Sequence, residues 1–201
     1  GDINADGRTE LLAVSKDNDS LYCWQGSDGH APVWAIKLQS NISWYSPTLA
    51  NIDASTDGRM EVILCAGKSP NAGIYVFQYN GNRYATTDSK GLLKNLNGHY
   101  LYQPASVGDV DGDGDLEIVV ATRMSPADNK DGALWVVRPD GSTLPHFNGL
   151  RFSTLGLAAQ QGTTAPPTLA DVDGDGADEI LVVTPDYLMC FKNNRDTPLW
   201  R

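Results

Sequence analysis

Positive charge is in short supply in this chain. Its 15 Lys and Arg face 25 Asp and Glu across 201 residues, a formal net charge of −10. That deficit argues against nucleic acid or an anionic membrane surface as a partner. Long apolar runs are missing as well. None approaches the roughly 20 residues of a membrane span, and no signal peptide is visible, so no membrane insertion is expected in this segment. Three cysteines are too few for a disulfide framework. Histidine is equally rare. His30, His99 and His146 are scattered over turns and connections, where ordinary surface or loop roles are expected. The full phosphate loop Gly-x-x-x-x-Gly-Lys-Ser/Thr is absent, since Gly67-Lys68-Ser69 has Val62 where its first glycine would be; Cys-x-x-Cys, His-Glu-x-x-His and Gly-x-Ser-x-Gly are absent too, so no catalytic residue can be named. Helical periodicity of convincing length is also wanting, which leaves an all-β chain.

What the chain does have is acid at fixed spacing. Gly108 to Ile118 reads GDVDGDGDLEI, with carboxylates on alternate positions. Such crowding repels itself unless a cation sits inside it. An all-oxygen donor set without His or Cys favours calcium over zinc. Asp109, Asp111 and Asp113 stand at loop positions 1, 3 and 5, the carbonyl of Asp115 at 7, and Glu117 at 9. Gly114, at position 6, permits the sharp turn that brings the later ligands back. Ala170 to Ile180 repeats the pattern with Asp171, Asp173, Asp175, the Ala177 carbonyl and Glu179. Gly1 to Leu11 does so with Asp2, Asn4, Asp6, the Arg8 carbonyl and Glu10. Ala50 to Val62 is a degraded copy two residues longer, offering Asp57, Glu61 and either Asn51 or Asp53 as the first ligand. Loops three and four should bind calcium most tightly, loop one less so, and loop two least or not at all. Sixteen of the 25 acidic residues lie in these four stretches, so the acidity reads as ligand supply.

An EF-hand begins in the same way but needs a bidentate Glu at position 12 and flanking helices. Position 12 here is Ala13, Val120 or Val182, each inside a short apolar run that reads as a strand. A variable turn follows, then a second strand: Leu21–Trp24, Ile74–Phe77, Leu134–Val137 and Leu188–Phe191. Hairpin signals come next at Asp28-Gly29, Asn80-Gly81 and Asp140-Gly141, ahead of a last strand. With a strand before each acidic loop, as in Ser46–Ile52, Pro104–Val110 and Pro166–Val172, the unit has four strands, A to D. Gly7, Gly58, Gly114 and Gly176 mark a repeat of 51, 56 and 62 residues. Four-stranded units of this length predict β-propeller blades. Their approximate limits are 1–43, 44–99, 100–162 and 163–201. In register, Cys23 and Cys190 take the place of Val76 and Val136, and Cys65 that of Val14, so buried free thiols are expected.

One Asp-x-Asp-x-Asp-Gly-x-x-Glu loop per four-stranded unit resembles the FG-GAP and VCBS-type repeats, seen in integrin α propellers and in secreted or surface-anchored bacterial proteins. Phe-Gly and Gly-Ala-Pro segments are missing and position 9 is Glu throughout, which brings the chain nearer the bacterial form. The resemblance implies calcium in the loops and a propeller; it does not imply one activity. The expected protein is a calcium-stabilised binding or adhesion module, extracellular, with further blades or domains in a longer chain. Seven or eight blades in all are expected. The alternative is the propeller of a polysaccharide-active enzyme resembling rhamnogalacturonan lyases. Strand alternation places the A–B and C–D turns on one face and the B–C and D–A connections on the other. A protein or carbohydrate ligand is expected on the latter, at Lys68–Ala72, Arg123–Asp131 and the long crossings Asn82–Tyr100 and Phe147–Thr164, where loop length varies most. The aromatics near the entry to strand A, Trp44, Tyr45, Tyr100 and Tyr102, are expected to pack between blades.

Overall fold

A computed structural model describes residues 1–26, 31–38, 45–66, 71–96, 99–101, 103–123, 131–157, 162–163 and 165–201. The strands within them form four antiparallel sheets in chain order. Sheet one holds β1 (Glu10–Ser15), β2 (Ser20–Gln25) and β3 (Trp34–Lys37). Sheet two holds β4 (Thr48–Ala50), β5 (Glu61–Ala66), β6 (Gly73–Phe77) and β7 (Leu92–Asn95). Sheet three holds β8 (Ser106–Gly108), β9 (Glu117–Ala121), β10 (Ala133–Val137) and β11 (Thr143–Arg151). Sheet four holds β12 (Thr168–Ala170), β13 (Glu179–Val183) and β14 (Leu188–Phe191), with Trp200 reduced to a single bridge to Cys190. The only helical turn among the described residues is a 3-10 turn, Phe152–Leu155.

The same register recurs in each sheet. The residue two past the loop glutamate faces the third residue of the predicted second strand: Leu12 opposite Cys23, Ile63 opposite Val76, Val119 opposite Val136, Leu181 opposite Cys190. Side chains alternate across a strand, so each central sheet fills two cores. Val62, Leu64, Tyr75 and Phe77 pack toward sheet one, while Ile63, Cys65, Ile74 and Val76 pack toward sheet three. Val119, Leu134 and Val136 meet Ile180, Val182 and Phe191 of sheet four. This explains why β6 and β10, and β5 and β9 after their opening glutamates, are apolar and why all four are buried at every position. Hydroxyls tie the first strands together: Thr48 Oγ1 donates to the Ala105 carbonyl at 2.7 Å, and Ser106 Oγ to that of Pro167. Four sheets stacked face to face, with almost no helix, are consistent with a β-propeller fragment.

Four details depart from the sequence reading. The Asn82–Tyr100 and Phe147–Thr164 crossings are shorter than expected, because β7 and most of β11 lie inside what looked like connection. Both strands pair through register shifts, at Ile74/Tyr75 and around Trp135, which the simple alternation of apolar residues does not announce. Phe147, assigned to a binding face, is fully buried and packs edge-on against Phe191 at 6.2 Å. His99, expected on the surface, is 7% exposed, with Nδ1 3.2 Å from Thr122 Oγ1 and its ring edge-on to Trp135. His146, expected in a turn or connection, lies exposed within β11. All three cysteines are free and buried. Burial pushes the Cys65 thiol up to about 12 and that of Cys23 up to about 11, which makes both poor nucleophiles. The Asp28-Gly29 signal, His30, Trp44, Lys68, Tyr102 and Met124 lie outside the described residues.

Candidate metal centre

Each acidic loop hangs between two paired strands. Gly108 is opposite Glu117, Ala50 opposite Glu61, and Ala170 opposite Glu179. In sheet one the N–H of Glu10 reaches the carbonyl of Gly1 at 2.7 Å and does the same job. Positions 1 and 9 of every loop are therefore brought together by the sheet. The position-1 carboxylate then folds the loop around itself. Asp109 Oδ1 accepts from the N–H groups of Gly112 and Asp113, and its Oδ2 accepts from Gly114 at 3.0 Å. Asp171 repeats this with Gly174, Asp175 and Gly176. Gly114 and Gly176 have φ of +92° and +93°, a conformation a side chain would resist. Position 5 pins position 7: Asp6, Asp113 and Asp175 each accept the N–H of Arg8, Asp115 and Ala177 respectively.

Position 9 is the revealing one. In all four loops one oxygen of the glutamate accepts the N–H of position 2: Ile3, Ile52, Val110 and Val172, at 2.9–3.0 Å. The other oxygen of Glu10, Glu117 and Glu179 is buried without a hydrogen-bond partner, and so is Oδ1 of Asp111. A buried carboxylate oxygen left this way costs several kcal/mol, of order 1–3 or more, unless something positive meets it. Burial first, then the charges of Asp111 and Asp113, push the Glu117 carboxyl up to about 7. Burial raises Glu61 too. Oxygens of Asp109, Asp111 and Glu117 lie within 4.8 Å of one another, as do those of Asp171, Asp173 and Glu179. Calcium–oxygen bonds of about 2.3–2.6 Å span that separation. The donor set and the orphaned oxygens therefore fit a calcium ion in loops three and four.

Loops one and two are built differently. Asn4 Nδ2 donates to Asp6 Oδ2 at 3.2 Å, so an amide stands at position 3 in place of an acid, while Glu10 Oε1 keeps no partner. In loop two Asn51 takes position 1: its Oδ1 accepts from Ser55, as Asp109 does from Asp113, while its Nδ2 donates to the Ser55 carbonyl at 2.6 Å. Asp53 is then position 3, with one oxygen on the Ser55 N–H, and Asp57 holds the N–H of Arg59. The inserted residues thus fall between Asp53 and Asp57, and the first site is amide, not acid. Ala5 and Ala54 sit at φ of 61° and 53° where loops three and four have glycine, so the two weaker loops also carry backbone strain. Among the described residues, only loops three and four bring three ligand-type carboxylates together.

Two residues at the centre escaped the sequence reading. Arg138 Nη2 lies 2.5 Å from Asp111 Oδ2. Lys192 Nζ lies 2.5 Å from Asp173 Oδ2, 2.6 Å from Asp175 Oδ2 and 3.6 Å from Glu179 Oε1. The same Lys192 contact holds the Asp175 carboxyl below its usual range. Both cations directly follow strand C of their sheet, β10 and β14, so the C–D turns share a face with the acidic loops. A cleft of about 350 Å³ beside loop three is lined by Asp113 and Asp115 together with Arg138 and Asp140.

A profile of the FG-GAP-like repeat matches residues 2–64, 53–120 and 109–182. The chain belongs to the FG-GAP-like repeat family. Each matched window opens at an acidic loop and closes in the strand after the next one, so the FG-GAP-like unit here is loop to loop. Of solved structures, the C-terminal domain of Pseudomonas aeruginosa PilY1 superposes with a TM-score of 0.60 at 18% identity, over 92% of this chain and 38% of that one. The V. cholerae biofilm matrix protein Bap1 superposes with a TM-score of 0.43, again at 18% identity, over 100% of this chain and 37% of Bap1. The chain thus spans less than two-fifths of either relative. No curated protein sequence matches it at a significant level.

Proposed function

We propose that this chain is part of a calcium-stabilised β-propeller that serves as a binding or adhesion module of a secreted or cell-surface protein. The observation that carries the calcium is the buried, unpartnered oxygen of Glu117 beside Asp109 and Asp111. Sites of this kind are filled where free calcium is near millimolar, which is the extracellular condition. Ligands are Asp109, Asp111, Asp113, the Asp115 carbonyl and Glu117 in loop three, and Asp171, Asp173, Asp175, the Ala177 carbonyl and Glu179 in loop four.

Further blades of a seven- or eight-bladed ring are part of the same reading, and position 2 of the loops supports them. Ile3, Ile52 and Val110 are each buried in the core shared with the following sheet. Val172, their equivalent in sheet four, is 51% exposed, and Val183 and Leu188 at the other end of that sheet are exposed as well. Thr168 repeats the register of Thr48 and Ser106 and is exposed too.

The ligand face is the one away from the acidic loops. There Arg123 and Tyr100 form a bridge, with the Arg123 N–H on the Tyr100 carbonyl at 3.0 Å. Metal-bound loops have their backbone set by ligation; these connections do not, and they are free to vary into a binding surface. Binding to a glycan array identifies the ligand class. Arg123→Ala and Tyr100→Ala are then expected to weaken retention at least fivefold with melting within about 2 °C of the parent. Asp111→Ala is expected to destabilise the fold and to lower binding only through that loss. Binding abolished by Asp111→Ala at an unchanged melting temperature would put the ligand on the calcium face and overturn the assignment.

A further inference from the structure

The position at the end of strand C reads Gln25, Gln78, Arg138 and Lys192 in the four repeats. It lies opposite the loop glutamate: Glu10 pairs with Gln25, and Arg138 and Lys192 each follow the partner of the residue after Glu117 and Glu179. Directly opposite residues share a face of the sheet, so this side chain points at the site. Its charge tracks the loop. Loops three and four present four carboxylates and a cation; loops one and two present three carboxylates and a neutral glutamine. Summed over the side chains at positions 1, 3, 5 and 9 and this residue alone, each loop comes to −3; Arg8, Arg59, Asp115 and Asp178 lie outside that sum.

The two cations meet their loops differently. Arg138 meets Asp111 on Oδ2 and leaves Asp111 Oδ1 and Glu117 Oε1 without hydrogen-bond partners. Lys192, whose side chain is only 17% exposed, reaches positions 3, 5 and 9 at once. Those are three of the carboxylates a calcium ion would need. An ammonium on a flexible four-carbon stem is compact enough to sit among them and mobile enough to leave. A planar guanidinium approaches from one side and stays there.

Resting on the reading of these loops as calcium sites, we propose that Lys192 is a tethered cation that competes with calcium for loop four and sets its affinity below that of loop three. At low calcium the lysine holds the loop folded; at high calcium the ion displaces it. Loops of equal acid content thus fill in sequence and not together.

Calcium titration of the ¹⁵N-labelled 201-residue chain separates the loops, because Gly114 and Gly176 donate to the position-1 carboxylates of loops three and four. In the parent, the Gly114 cross-peak is expected to shift at lower calcium than that of Gly176. Lys192→Gln, which installs the residue of loops one and two, should move the Gly176 midpoint roughly tenfold lower and leave Gly114 within about twofold. The same variant should melt below the parent in EDTA, where loop four has lost its cation. A Gly176 midpoint that stays put or rises to higher calcium, with Gly114 responding normally, overturns the competition while leaving the calcium reading intact. If neither glycine responds to calcium in the parent, the calcium reading fails and this inference fails with it.

Discussion

Removing calcium with EDTA should lower the melting temperature by about 10 °C relative to 1 mM calcium, and excess calcium should restore it. Carboxylates crowded into loops three and four, with Glu117 and Glu179 wholly buried, are tolerated when a cation meets their open oxygens. Metal binding is then linked to folding. At dissociation constants of ~10–100 μM, each filled site adds about 1.4–2.7 kcal/mol in 1 mM calcium. Two such sites, at roughly 2–4 °C per kcal/mol for a chain of this length, give the expected shift. Magnesium should rescue poorly, since it demands shorter bonds and near-octahedral geometry that a nine-residue loop of this shape does not offer. Loop two, closed by its own Asn51 amide, should contribute nothing. Scanning fluorimetry on the tryptophans reads the result, and an identical melt with and without EDTA would falsify calcium as a structural ligand.

The second large effect changes sign with the metal. Glu117→Gln should raise the melting temperature in EDTA and lower it in calcium. Without metal, Glu117 holds a charge in the protein interior against Asp111 and Asp113, and one of its oxygens has no partner. Glutamine keeps the oxygen that accepts the Val110 N–H and turns an amide donor toward the open Asp111 Oδ1. A gain of about 1 kcal/mol is expected. With calcium present the same change removes an anionic ligand, and most of the roughly 2 kcal/mol contributed by loop three goes with it. The pH dependence follows the same logic. The carboxyl ionises near 4.5 in the unfolded chain and only near 7 in the metal-free fold. Between those values the folded protein binds the extra proton, so in EDTA this group's contribution to stability falls as pH rises from about 4.5 to about 7. In calcium the slope reverses, because the ion needs the ionised form. Equal stability changes for Glu117→Gln in both buffers would show that its carboxylate never meets a cation.

The loops and strands were legible because their causes are local. An Asp at position 1 reaches N–H groups three to five residues on, and a glutamate at position 9 returns to position 2, all within one stretch of chain. Apolar runs, together with turn glycines, marked strands B and C of each repeat almost to the residue. Aligning the repeats identified Cys23, Cys65 and Cys190 as core. Membership of a repeat followed from spacing alone.

What only the tertiary structure decided lies across strands and between sheets. Whether Asn51 or Asp53 opens loop two depended on which residue the paired strands β4 and β5 set opposite Glu61, and local spacing allowed both. Phe147 and His99 looked like connection residues, because the register shifts in β11 and the packing of His99 on Trp135 belong to no sequence period. Arg138 and Lys192 lie 27 and 19 residues from the aspartates they pair with, and their place at the acidic loops exists only once strand C has docked on strand B. The sequence by itself thus determined the repeats, the strands and the ligand oxygens. Which loops already hold a cation of their own was decided by strand pairing, since hydrogen-bonded neighbours across a sheet are distant along the chain.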